Sequence, residues 1–186
     1  MIFPVGSGRI RGNGRGFSNC TDESTTLVKL ISIMPCLALS RFTFMQRFVK
    51  TFAELTVDEL YRILAARSAV FVVEQKCPYQ DVDGVDRKAL HVWREEDGKI
   101  LCYLRAFPIA DDNSVFQIGR VLSTVRGQGL GARVFEDAME ALAARYPMKR
   151  IVLEAQCYAT GFYERYGFKT LGEPFDEDGI PHIRME

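Results

Sequence analysis

A β-type apolar run, Ile118-Gly119-Arg120-Val121-Leu122, leads into the turn Arg126-Gly127-Gln128-Gly129-Leu130-Gly131 and then into the amphipathic segment that starts Ala132-Arg133-Val134-Phe135. A strand that turns through glycines into a helix leaves several backbone N–H groups without intrahelical acceptors, at the positive end of the helix dipole. Such a turn reads as a socket for a phosphate. Two familiar phosphate loops fit poorly. A Walker A loop needs Lys-Ser/Thr after its last glycine, where Ala132-Arg133 stand. A dinucleotide fingerprint needs Gly-x-Gly-x-x-Gly, which cannot be read across 127–131. The plain alternative is that the glycines only shape a tight turn.

The 186 residues, 47% apolar and 26% charged, suit one ordinary globular domain with a real core. Basic and acidic residues balance at 24 each, so there is no charge surplus with which to hold a nucleic-acid duplex. The balance is uneven along the chain: Arg9, Arg11, Arg15, Lys29 and Arg41 precede residue 45 against only Asp22 and Glu23, which leaves the remainder mildly acidic. Cys20, Cys36, Cys77, Cys102 and Cys157 form no Cys-x-x-Cys pair and have only two histidines to join them. They read as reduced thiols of a cytoplasmic protein, with neither a metal site nor a disulfide framework.

Residues 1–26 are Gly-rich and of low complexity, and the apolar stretch 27–39 is too short to span a bilayer. A basic start before an apolar stretch is also the pattern of a signal or transit peptide. The favoured expectation is that 1–44 is an extension or a start placed too early, with Met45 opening a domain over 45–186. Phe48–Phe52 alternates as a strand, and Thr56-Val57-Asp58-Glu59 offers a capping box for a helix over 57–72. Strands over 90–94 and 99–105 flank Asp97-Gly98, a type I′ hairpin signal. A strand over 115–123, a helix with Leu130, Val134, Phe135, Ala138 and Leu142 on one face, a buried strand over 150–155 and a short helix ending at Gly167 follow. Strands over 168–172 and 182–185 close the domain. The order β-α-β-β-β-α-β-α-β-β predicts an α/β (α+β) fold, a mixed sheet with helices on its faces.

The Arg-x-x-Gly-x-Gly pattern of Arg126, Gly129 and Gly131, together with Gln156, Ala159, Tyr163 and Gly167-Phe168, resembles the GNAT superfamily of N-acetyltransferases. The segments 69–81, Ile118-Gly119-Arg120-Val121 and 177–182 are similar to its ElaA-like branch, so the likeness spans roughly 48–186. The family typically has Asn where Gln156 stands, which alters the side-chain contact there. The resemblance implies transfer of an acetyl group from acetyl-coenzyme A to a primary amine, by direct attack in a ternary complex. It implies cofactor contacts from Ile118, Gly119, Arg120 and Val121, from Arg126, Gly127, Gln128, Gly129, Leu130 and Gly131 at the pyrophosphate, and from Gln156 and Tyr163. Tyr163 is then the group that donates toward the departing sulfur.

For the base, Glu74, His91 and His182 are candidates, with Glu74 favoured. Asp81, Asp83 and Asp86 resemble part of a calcium loop, but Val92 occupies the twelfth place. They read instead as a solvated loop or an acidic rim for a cationic acceptor, and Cys77 reads as structural. The expected partners are a small-molecule or peptide amine, without nucleic acid or membrane, and a homodimer is compatible. A coenzyme A sensor without turnover is the rival reading.

Overall fold

The computed structural model describes residues 45–147 and 150–186, and the expectation for 1–44 lies outside them. Seven strands form one mixed sheet: β1 (Gln46–Thr51), β2 (Leu90–Glu96), β3 (Lys99–Pro108), β4 (Val115–Ser123), β5 (Arg150–Gln156), β6 (Thr170–Glu177) and β7 (Ile180–Met185), in the spatial order β1-β2-β3-β4-β5-β7-β6. Among the described residues only the β4–β5 pair is parallel. The helix between them, α2 (Leu130–Arg145), supplies the crossover that a parallel pair requires. The other helices are α1 (Val57–Arg67) and α3 (Thr160–Glu164).

Local signals account for most of these boundaries. Thr56 caps α1 reciprocally with Glu59: the Glu59 amide donates to Thr56 Oγ1 at 3.2 Å and the Thr56 amide to Glu59 Oε2 at 2.9 Å. Asp97 and Gly98 both have positive φ, 48° and 74°, as a type I′ turn between β2 and β3 demands. Gly167 ends α3 at φ 89°, in the left-handed region that glycine enters without a Cβ penalty. On α2, Leu130, Val134, Phe135, Ala138, Ala141 and Leu142 are buried and pack in one core with β2–β5 and α3. A second cluster on Ile63, Val70, Trp93, Tyr103 and Leu122 ties α1 to the sheet.

Three expectations need correction. The helix expected over 57–72 is α-helical only to Arg67; Ser68–Glu74 widens into π turns, with the Gln75 amide donating to the Val70 carbonyl at 3.1 Å. Phe52 leaves the first strand and opens a 3-10 turn. The closing strands are longer than their apolar runs, because β6 reaches Glu177 and β7 starts at Ile180 around a second two-residue turn, Asp178-Gly179, with φ 53° and 82°. Gly172 at φ 74° and Pro174, which has no N–H to donate, mark a break in register between Leu171 and Phe175.

Candidate active site

β4 and β5 run side by side only from Val115↔Arg150 to Ile118↔Leu153. Beyond that point β5 continues against β7 while β4 continues against β3, so the two strands fork and leave main-chain groups facing each other unpaired. A bulge sharpens the fork. Tyr103 pairs with Leu122 and Arg105 with Gly119, so Arg120 and Val121 together oppose Leu104, and Arg120 takes φ 54°. A cavity of about 340 Å³ opens here, and its lining includes Ile118, Gly119, Arg120, Val121, Arg126, Gly131, Gln156, Tyr163 and His182.

The glycine turn stands at one end of this fork. Gly127 and Gly129 have φ 75° and 67°, and Gly129 is the N-cap of α2. The Arg133 amide donates to the Gly129 carbonyl at 3.2 Å, so the amides of Leu130, Gly131 and Ala132 precede the first intrahelical bond. A Cβ built on Gly127, Gly129 or Gly131 would meet no protein atom within 4 Å. Gly131 is the informative one: its φ lies outside the glycine-favouring region and nothing crowds it, yet glycine costs up to about 1 kcal/mol relative to alanine in a helix. Bare backbone facing a cavity is what close approach of a pyrophosphate requires. Of the other residues expected here, Leu130 buries its side chain in the core and can offer only its amide, while Gly127, Gln128 and Gly129 shape the turn without lining the cavity.

Tyr163 lies in α3, its ring packed against Phe135, Phe162 and Phe168 at centroid distances of 5.6, 4.9 and 6.3 Å. Its hydroxyl has no hydrogen-bond partner among the described residues. Among the described residues the side-chain polar atoms both buried and unpartnered are Asp86 Oδ2 and Arg105 Nε, so the Tyr163 hydroxyl is accessible, on a residue that lines the cavity. Burial pushes its pKa up to about 12, aided slightly by Tyr158. Against a thiol of ordinary pKa, full proton transfer is then uphill by about 5 kcal/mol. A phenol held this way can donate a hydrogen bond while keeping its proton.

The aspartates are held in a network of ion pairs, with Asp81 and Asp86 buried and Asp83 exposed. Arg67, Asp81, Arg120, Asp83, Arg105 and Asp86 close into a ring of alternating charge, each ion paired with the next at 3.0, 2.8, 3.5, 2.5, 2.8 and finally 2.7 Å back to Arg67. Among the described residues no group of three or more His, Cys, Asp or Glu could hold a metal. The ring commits the Arg120 guanidinium to Asp81 and Asp83, and Tyr79 and Phe71 lie under it at 5.1 and 6.0 Å. The Arg120 side chain is thus committed to the ring, and the ion pairs offset the roughly 1–3 kcal/mol of its left-handed backbone.

His91 sits against this ring and is excluded as a base. Its Nδ1 meets the Tyr103 hydroxyl at 2.8 Å and its Nε2 the Asp86 carbonyl at 3.0 Å, with no exposure; burial holds its pKa below the ordinary value. Glu74 is exposed, does not line the cavity and accepts from Arg126 Nη2 at 2.5 Å. Gln156 does line it, and its amide is engaged by the Tyr158 hydroxyl and, at 3.5 Å, by Gln75. Cys77 is buried, its Sγ 3.4 Å from the Asp178 carbonyl. The free edges of the fork, the ring and the Glu74–Arg126 pair link residues far apart in the chain, so no local pattern announces them.

A forked parallel pair ending in a glycine-rich helix N-terminus, with a phenol inside the fork, defines an acyl-coenzyme A N-acyltransferase fold. The model of the acetyltransferase (GNAT) domain matches residues 51–186, and the chain belongs to that family. Within it, the chain is similar to Protein ElaA of Escherichia coli K12, 39% identical over 137 residues that cover 72% of this chain and 90% of the relative. Among solved structures, an acyl-CoA N-acyltransferase from Pseudomonas aeruginosa superposes with a TM-score of 0.72 at 42% identity, covering 76% of this chain and 98% of that one. Escherichia coli ElaA gives 0.71 at 36% identity, with the same coverages of 76% and 98%.

Proposed function

We propose that this protein transfers the acetyl group of acetyl-coenzyme A to a primary amine by direct attack, both substrates being bound at once. The observation that carries the reading is the cavity shared by the bare Gly131, the fork and the unpartnered Tyr163 hydroxyl. The amides at the start of α2 would hold the pyrophosphate, and the free edge of β4 would hold the arm that follows it. Binding energy gained far from the reaction then positions the thioester. An unpaired β4 amide is suited to stabilise the oxyanion. Tyr163 would hydrogen-bond the departing sulfur. Among the described residues no helix is long and apolar enough to cross a membrane. A small or peptide amine met in the cytoplasm is the acceptor class we favour.

The test is direct. Acetyl-coenzyme A should raise the Tm of the protein through ligand linkage, and pooled primary amines should then release free thiol. Stabilisation without thiol release by any amine would make this a coenzyme A sensor.

A further inference from the structure

We propose that His182 is the base that takes a proton from a cationic amine acceptor. The proposal rests on the acetyl-transfer reading above. His182 Nδ1 lies 2.8 Å from the carbonyl oxygen of Ile180. A carbonyl only accepts, so Nδ1 carries the hydrogen and Nε2 carries the lone pair. Nε2 has no partner among the described residues, and it is absent from the side-chain atoms that are both buried and unpartnered. It is therefore open, on a residue that lines the cavity.

The ring is held for this work. His182 sits in β7 between Gln156 of β5 and Phe175 of β6, and stacks on Phe175 at 6.1 Å and 27°. Glu177 Oε2 lies 3.8 Å from Nδ1, so a carboxylate stands beside the ring. The other titratable groups of the cavity lining near this hairpin are Asp178, Glu154, Tyr158, Tyr79 and Cys77. Arg105, Arg120 and Arg126 also line the cavity, but Arg105 and Arg120 are matched within the ring of ion pairs and Arg126 is paired with Glu74. Glu154, Glu177 and Asp178 therefore give this end a negative field that draws a cation in.

The step balances simply. The acceptor arrives as an ammonium ion and gives one proton to His182 Nε2, which passes it to solvent. The freed lone pair attacks the thioester carbon, the C–N bond forms as the C–S bond breaks, and the nitrogen's second proton ends on the departing sulfur. The products are one amide, one thiol and one released proton.

The experiment compares wild type, His182→Gln and Glu177→Gln with acetyl-coenzyme A and two probes. One is 1,3-diaminopropane, charged at neutral pH, and the other 2,2,2-trifluoroethylamine, mostly neutral there. His182→Gln should slow thiol release about 100-fold with the charged probe and less than about 5-fold with the neutral one, which needs no base to reach its reactive form. Added imidazole should restore part of the loss, and the Tm rise with acetyl-coenzyme A should match that of wild type. Glu177→Gln, on an exposed side chain, should show the same selectivity at about 3-fold and reports on the pair if His182→Gln does not fold. Equal losses with both amines, or none, would assign His182 to packing and overturn the proposal. Wild type that binds acetyl-coenzyme A yet acetylates neither probe also overturns it, whereas wild type that binds no coenzyme A derivative brings down the underlying reading.

Discussion

Arg126 Nη2 lies 2.5 Å from Glu74 Oε1, which joins the glycine turn to the end of the π segment after α1. The pair spans 52 residues, and both side chains are more than half exposed, at 65% and 56%. The residue favoured in the sequence as a base is thus a partner of the arginine favoured for the pyrophosphate. A phosphate that reached Arg126 would compete with Glu74 for it.

Glu74→Ala should therefore leave kcat within about twofold of wild type and lower the KM for acetyl-coenzyme A by up to about fivefold, the range of an exposed ion pair. Steady-state kinetics at low salt would show it. A large drop in kcat would return Glu74 to the chemistry.

Gly131→Ala separates the fold from the site. The new methyl meets no protein atom within 4 Å, so the helix should gain up to about 1 kcal/mol in urea unfolding. If the space belongs to the pyrophosphate, calorimetry should at the same time show weaker binding of coenzyme A, by about tenfold or more. Higher stability with unchanged affinity would reduce Gly131 to a feature of the turn.

Tyr163→Phe keeps the ring that packs on Phe135 and Phe168 and removes only the hydroxyl. The rate should fall toward the low end of the ~10²–10⁴ range for such groups, with coenzyme A affinity held. The donor form persists below its pKa of about 12, so the ratio of wild-type to variant rate should stay flat from about pH 7 to about 10. An ordinary phenol would already be failing at the upper end.

The charge ring predicts an acid-sensitive fold. Burial pushes the Asp83 carboxyl up, but Arg105, the Val85 amide and Arg120 outweigh it and hold it at about 2, and Asp86 is held down likewise by Arg105 and Arg67. A depressed carboxylate stabilises the fold above its unfolded pKa, and that contribution fades as pH falls through the folded value, here from about 4 to about 2. His91, depressed by burial, adds an earlier loss that begins below about pH 6.5, where the unfolded imidazole takes a proton and the folded one resists. Calorimetric Tm should decline in these two stages. Asp86→Asn, which strips Arg67 and Arg105 of a shared buried partner, should cost about 3–5 kcal/mol at neutral pH.

What the sequence disclosed was local. The Thr56–Glu59 box, the Asp97-Gly98 turn and the apolar stripe of α2 each lie within a few residues and obey backbone geometry, so their positions could be read directly. The Asp81, Asp83 and Asp86 spacing suggested water because the partners stand elsewhere: Arg67 is 14 residues before Asp81, and Arg120 is 39 after it. His91 and His182 look alike on alternating strands, and only the sheet reveals that one ring has both nitrogens engaged while the other keeps Nε2 free. The bulge at Arg120 is equally silent, since nothing marks a non-glycine residue for positive φ before its side chain finds Asp81.

The parting of β4 from β5 carries a lesson about divergence. Peptide carbonyls outlast every amino-acid replacement, and peptide amides outlast every one but proline. A ligand gripped along that open edge would therefore survive wide drift in the side chains around it.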